Sequence, residues 1–73
     1  MRVRKKPVEV EIERVEERTE IETREGVVVA EPGEYVVIGV EGERYPIAPD
    51  ILAATYEPVD EAARAEWKRR FED

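Results

Sequence analysis

No cysteine, histidine, serine, asparagine or glutamine occurs among the 73 residues of this chain. Without cysteine there is no disulfide staple, and with histidine also missing an ordinary zinc site has no ligands. The same absences remove the nucleophile–base pair and the imidazole acid/base on which most hydrolytic chemistry depends. The nucleophilic hydroxyls that remain are Thr19, Thr23, Thr55 and the tyrosines. Calcium loops space Asp or Asn closely around a glycine, and no such run is present. Carboxylates are plentiful, and a pair of them is the machinery of glycoside hydrolysis. A domain this short, however, offers no deep cleft in which to desolvate such a pair. The expectation is a protein that is not an enzyme, with no catalytic residue, no metal ligand and no cofactor.

Long apolar runs are missing too. The basic N-terminus is not followed by the apolar stretch of a signal peptide, and nothing approaches the ~20 apolar residues of a membrane span. This points to a cytoplasmic protein, in the host cell's cytoplasm if phage-encoded.

Charge is what the chain has in quantity. Its 12 basic and 19 acidic side chains give a net charge of -7, unevenly spread. Arg2, Arg4, Lys5 and Lys6 form a basic N-terminal arm over residues 1–6. That leaves 8 basic against 19 acidic residues from Pro7 onward, a balance of -11. A body so acidic repels phosphate backbones, which argues against nucleic acid as a partner. The polar surface is almost wholly Glu and Arg, with a little Asp, Lys and Thr. Such a thermophile-like composition fits a heat-adapted source, where ion-pair networks keep their value; computational design, which favours charged surfaces, is the rival explanation. A single domain of this size buries only ~60% of the surface its unfolded chain exposes, so self-association is one natural source of extra stability.

Along the chain, Val8, Val10 and Ile12 alternate with Glu9, Glu11 and Glu13, the pattern of a half-buried strand starting at Pro7. Arg14 breaks the alternation and Val15 resumes it on the other face, which marks a bulge or a strand end. Thr19, Ile21 and Thr23 define a second strand, and Arg24-Glu25-Gly26 a tight turn with glycine at the positive-φ position. Val27–Ala30 is a third strand. Pro32-Gly33 fits the centre of a type II turn, and Tyr35–Ile38 follows as a strand apolar on both faces, hence central or covered. Glu41-Gly42 turns the chain into a fifth strand, Glu43–Ile47. Pro49 and Asp50 open a short helical turn, and Tyr56–Val59 is expected to return as a short edge strand. Asp60 is a good helix N-cap, with a final helix from Glu61 to Phe71 that sets Ala63, Trp67 and Phe71 on one face. The acidic strand faces read most simply as solvated surface, with DNA mimicry as the sharper alternative.

The expected fold is therefore α+β: a small, twisted, mostly antiparallel sheet of five or six strands, packed by one C-terminal helix. Its parts are the basic arm (1–6), a β-rich core (7–59) and the C-terminal helix segment (60–73).

Several short motifs, in order along residues 4–59, resemble the small PGDYG-type proteins of bacteriophages and prophages. They are Arg4-Lys5-Lys6-Pro7-Val8, Pro32-Gly33-Glu34-Tyr35, Gly39-Val40-Glu41-Gly42-Glu43, Tyr45-Pro46, Pro49-Asp50-Ile51 and Ala54-Thr55-Tyr56-Glu57. The family pattern has Asp where Glu34 stands, a Lys near Ala48, Cys or Val at Ile47, and often Phe at Leu52. The resemblance implies a phage-type accessory protein rather than a particular reaction.

Two sets of residues are candidates for function. Trp67, Phe71 and Arg70 either fold back on the sheet or anchor a protein partner, a second copy or a host target, since Trp is favoured at such contacts. Tyr35, Tyr45 and Tyr56, with Arg4, Lys5 and Lys6, are the one place for a small anionic ligand such as a nucleotide. A minor structural role in a virion is the third reading.

Overall fold

The computed structural model describes residues 1–72. Its strands are β1 (Glu11–Arg14), β2 (Thr19–Thr23), β3 (Gly26–Ala30), β4 (Tyr35–Ile38) and β5 (Arg44–Ile47), followed by helices α1 (Pro49–Thr55) and α2 (Glu61–Phe71). All pairings are antiparallel, and the five strands divide into a three-stranded sheet, β1-β4-β5, and a β2-β3 hairpin. Asp73, the last residue of the expected C-terminal helix segment, lies outside the described residues.

Three glycines with positive φ shape the turns: Gly26, Gly33 and Gly42. At Gly33 (φ 93) the chain makes the expected type II turn, closed by Glu34 N–H on Glu31 O at 3.0 Å. The turn runs straight into a β-bulge. Gly33 N–H donates to Val15 O, and Val15 N–H donates to Glu34 O, so two residues of one strand face one of the other. The irregularity at Arg14–Val15 in the sequence is thus the partner side of a bulge.

β4 is the central strand, and its two faces serve different layers. Val36 joins Val15, Ile21 and Ala30 in a core beneath the β2-β3 hairpin, flanked by Val28 and Ile38. Tyr35 and Val37 point the other way, toward the side where α2 lies. The fully buried Leu52 is the core residue of α1.

Two expectations are corrected. The first strand begins at Glu11, not near Val8, because β4 ends at Ile38 and Gly39 already starts the next turn. Residues 8–10 run past the end of their partner. Tyr56–Val59 forms no strand: Tyr56 has extended backbone angles but ends α1 by donating to Leu52 O, and Pro58 removes a donor.

The acidic strands avoid mutual repulsion by not pairing with each other. Glu11 and Glu13 lie across from Ile38 and Val36, and Glu20 and Glu22 across from Val29 and Val27. Among the described residues the ion pairs are isolated: Arg14–Glu16, Arg18–Glu31 and Glu66–Arg70. Exposed single pairs of this kind contribute little to stability.

Candidate functional site

α2 is held at its start by Asp60, whose carboxylate accepts the Ala63 N–H at 2.8 Å. Acidic Glu61 in the first turn and Lys68, Arg69 and Arg70 in the last both suit the helix dipole. Its less polar face carries Ala63, Trp67 and Phe71 at steps of four, and all three are half-buried. None of the helix's residues is fully buried. The contact with the sheet is made by long side chains: the Phe71 ring lies 5.7 Å from that of Tyr35 and 4.6 Å from that of Trp67.

Arg70 completes this cluster. It donates to the Tyr35 hydroxyl at 3.3 Å and to Glu66 at 2.8 Å. The hydrogen bond to Tyr35, aided by Glu66, raises the Arg70 pKa against the effect of desolvation. The guanidinium stays charged over an aromatic floor.

Between this cluster and β1 lies a cleft of about 290 Å³. Val10, Ile12 and Arg14 form one wall, Ala63, Trp67 and Arg70 the other, with Tyr35 and Phe71 between. Two more clefts flank the same strand, one bordered by Val10, Ile38, Val40 and Val59, the other by Glu13, Arg14 and Thr19. The open ground of this fold is gathered around β1.

The nine sequence candidates separate. Tyr35 joins Arg70, Phe71 and Trp67 on the α2 side. Tyr45 and Tyr56 meet elsewhere, hydroxyl to hydroxyl at 3.2 Å, with the Lys5 ammonium 6.0 Å from the centre of the Tyr56 ring. That hydrogen bond, with partial burial and the nearby Tyr56 and Glu43, pushes the Tyr45 phenol up to about 12. Arg4 and Lys6 are exposed. The three tyrosines therefore do not form one pocket, and none of the three clefts is lined by Tyr45 or Tyr56. What sequence reading missed is the β1 wall. Its signal was the Val8-Val10-Ile12 alternation, of which Val10 and Ile12 border the cleft.

Among the described residues no cluster of acidic side chains is arranged to hold a metal ion, and no helix is long and apolar enough to cross a membrane. The chain matches no family model, no curated protein and no solved structure.

Proposed function

We propose that this chain is a non-enzymatic protein-binding module, a phage-type accessory protein of the kind its PGDYG-like motifs imply. Its contact surface is the cleft between β1 and α2. One observation carries the reading: the only tryptophan sits half-exposed beside Phe71 and Arg70, on a helix that buries none of its residues. Aromatic anchors next to an arginine are the composition of interface hot spots. Val10, Ile12 and Val59 add apolar surface at the rim, where an extended or helical segment of a partner finds both grease and charge. Selection of peptides from a displayed library on the folded protein tests this. Ligands that shift Trp67 fluorescence and are lost by Trp67→Glu and Arg70→Ala support it. Ligands indifferent to both substitutions sink it.

A second reading keeps the anionic small ligand, now reduced to the Lys5–Tyr56–Tyr45 group. A ligand that binds only the folded state raises the unfolding temperature. A nucleotide panel in excess that leaves the melting curve unmoved removes it.

A further inference from the structure

The outer edge of β1 is left without a strand partner among the described residues. The 2.9 Å bond from Val15 N–H to Glu34 O fixes the phase of the β1–β4 ladder. Glu11, Glu13 and Val15 turn their backbone groups toward β4, so Ile12 and Arg14 turn theirs away, as does Val10 if the strand is continued upstream. Upstream, Val8 and Val10 continue the strand pattern into a stretch that has no ladder, and Val8 is 52% exposed. Just before it stand Arg2, Arg4, Lys5 and Lys6, all exposed, while Glu9, Glu11 and Glu13 line one face of the same strip. One molecule thus carries an unpaired acidic edge and, directly before it, a basic stretch outside any ladder. Chain direction prevents the strip from folding onto itself, but two copies related by a twofold axis satisfy each other.

We propose that a second copy of this chain covers the β1 edge. Residues 2–8 of each copy run antiparallel along the outer edge of residues 8–14 of the other, with Val8 on the twofold axis. The proposal rests on reading the β1 side as a contact surface and names the partner. In this register Lys5 stands opposite the partner's Glu11, Arg4 opposite the partner's Ile12 and Lys6 opposite the partner's Val10. The even-numbered residues supply the new ladder. Pro7, which has no N–H, falls at a position whose backbone faces away from it, so the missing donor does no harm. It is the register that reaches Arg14 without setting glutamate against glutamate; a shift of one pair toward the strand end opposes Glu9 to Glu9. The one like-charge pair, Arg2 with the partner's Arg14, lies at the end of the ribbon, where fraying relieves it. The joined molecule has a six-stranded sheet and two protected edges where each copy had an open one.

Sedimentation and light scattering on the full chain over a range of concentrations test the proposal. A concentration-dependent dimer is expected. Val8→Pro removes an outward N–H upstream of every regular element and should weaken the dimer at least tenfold with far-UV circular dichroism unchanged. Lys5→Glu breaks two symmetric ion pairs and should weaken it by about tenfold, the scale of 1.4 kcal/mol. Adding Glu11→Lys should restore it. Val8→Cys supplies the only thiol in a chain without cysteine. It should crosslink under mild oxidation at concentrations where Val40→Cys, at a still more exposed position, does not. A chain that stays monomeric overturns the proposal, as does a dimer indifferent to Val8→Pro and Lys5→Glu. Neither result touches peptide binding that depends on Trp67, so the two readings fail separately.

Discussion

Arg70, near the end of α2, donates to the hydroxyl of Tyr35, the first residue of the central strand, over 3.3 Å. The same guanidinium holds Glu66 one helical turn back. The pair joins the middle of the chain to its C-terminal helix, and it is a polar tie between a loosely seated helix and the sheet. A double-mutant cycle of Tyr35→Phe and Arg70→Ala should give a coupling of about 0.5–1 kcal/mol in urea unfolding, the scale of one partly exposed hydrogen bond. Additive effects would show that the tie contributes nothing.

Phe71 stands between Tyr35 and Trp67, touching both, whereas Trp67 touches the sheet only through Phe71 among the ring contacts. Phe71→Ala should therefore cost more stability than Trp67→Ala. A half-buried ring gives about 2 kcal/mol, below the 3–5 kcal/mol of a fully buried one. If Trp67→Ala proves the more damaging, the tryptophan is a core residue and its place in a binding cleft falls.

Asp60 caps α2 through the Ala63 N–H. Asp60→Ala should lower stability by about 1 kcal/mol and reduce helical signal, while Asp60→Asn, which still accepts the bond, should cost far less. Equal losses would assign the effect to charge near the helix dipole instead.

The parts of the fold that were legible are those whose physics is local. Pro32-Gly33 states its turn in two residues, Asp60 states the start of α2, and the apolar run Tyr35–Ile38 states a strand covered on both faces. β1 was misjudged at its start because its length depends on where another strand ends, and Gly39 stops β4 at a point that nothing near Val8 announces. Tyr56–Val59 has extended-chain character but lacked a neighbour to pair with. The candidate site shows the same division. The helical spacing of Ala63, Trp67 and Phe71 gave the α2 wall directly, but the β1 wall required knowing which side of the strand β4 leaves open. Tyr35 parted from Tyr45 and Tyr56 because α2 and the segment after α1 each draw a different tyrosine, and such choices are made in three dimensions.

Two glycines that look alike in sequence should respond differently. At Gly33 a Cβ would meet nothing, but φ is +93, so Gly33→Ala should cost about 1–2 kcal/mol of backbone strain and Gly33→Asn less. Gly39 has no such backbone demand; there a Cβ would run into the Glu43 carboxylate, which folds over it to accept the Glu41 N–H at 3.1 Å. That side chain is exposed and can swing aside, so Gly39→Ala should cost under about 1 kcal/mol. Thermal melts of the three variants distinguish strain from crowding, and an equal loss at both alanines would refute the distinction.

The Tyr45–Tyr56 pair predicts an alkaline transition with a definite sign. The Tyr45 phenol is raised from 10.0 to about 12, chiefly because its hydrogen bond with Tyr56 holds it neutral. A folded-state value above the unfolded one means that the unfolded chain loses its proton first. The contribution of this pair to stability is therefore complete below pH 10 and is lost as the pH rises through the folded value near 12. Tyr45 is partly exposed, so the effect will be seen in titration before it is seen in stability. Following tyrosinate absorbance, one of the three tyrosines should ionise well after an ordinary phenol, and Tyr56→Phe should bring that late step back toward 10. Loss of the late step in Tyr45→Phe would assign it. If Tyr56→Phe leaves the late step in place, the hydroxyl contact is not its cause, and the link between the two tyrosines of the Lys5–Tyr56–Tyr45 group loses its support.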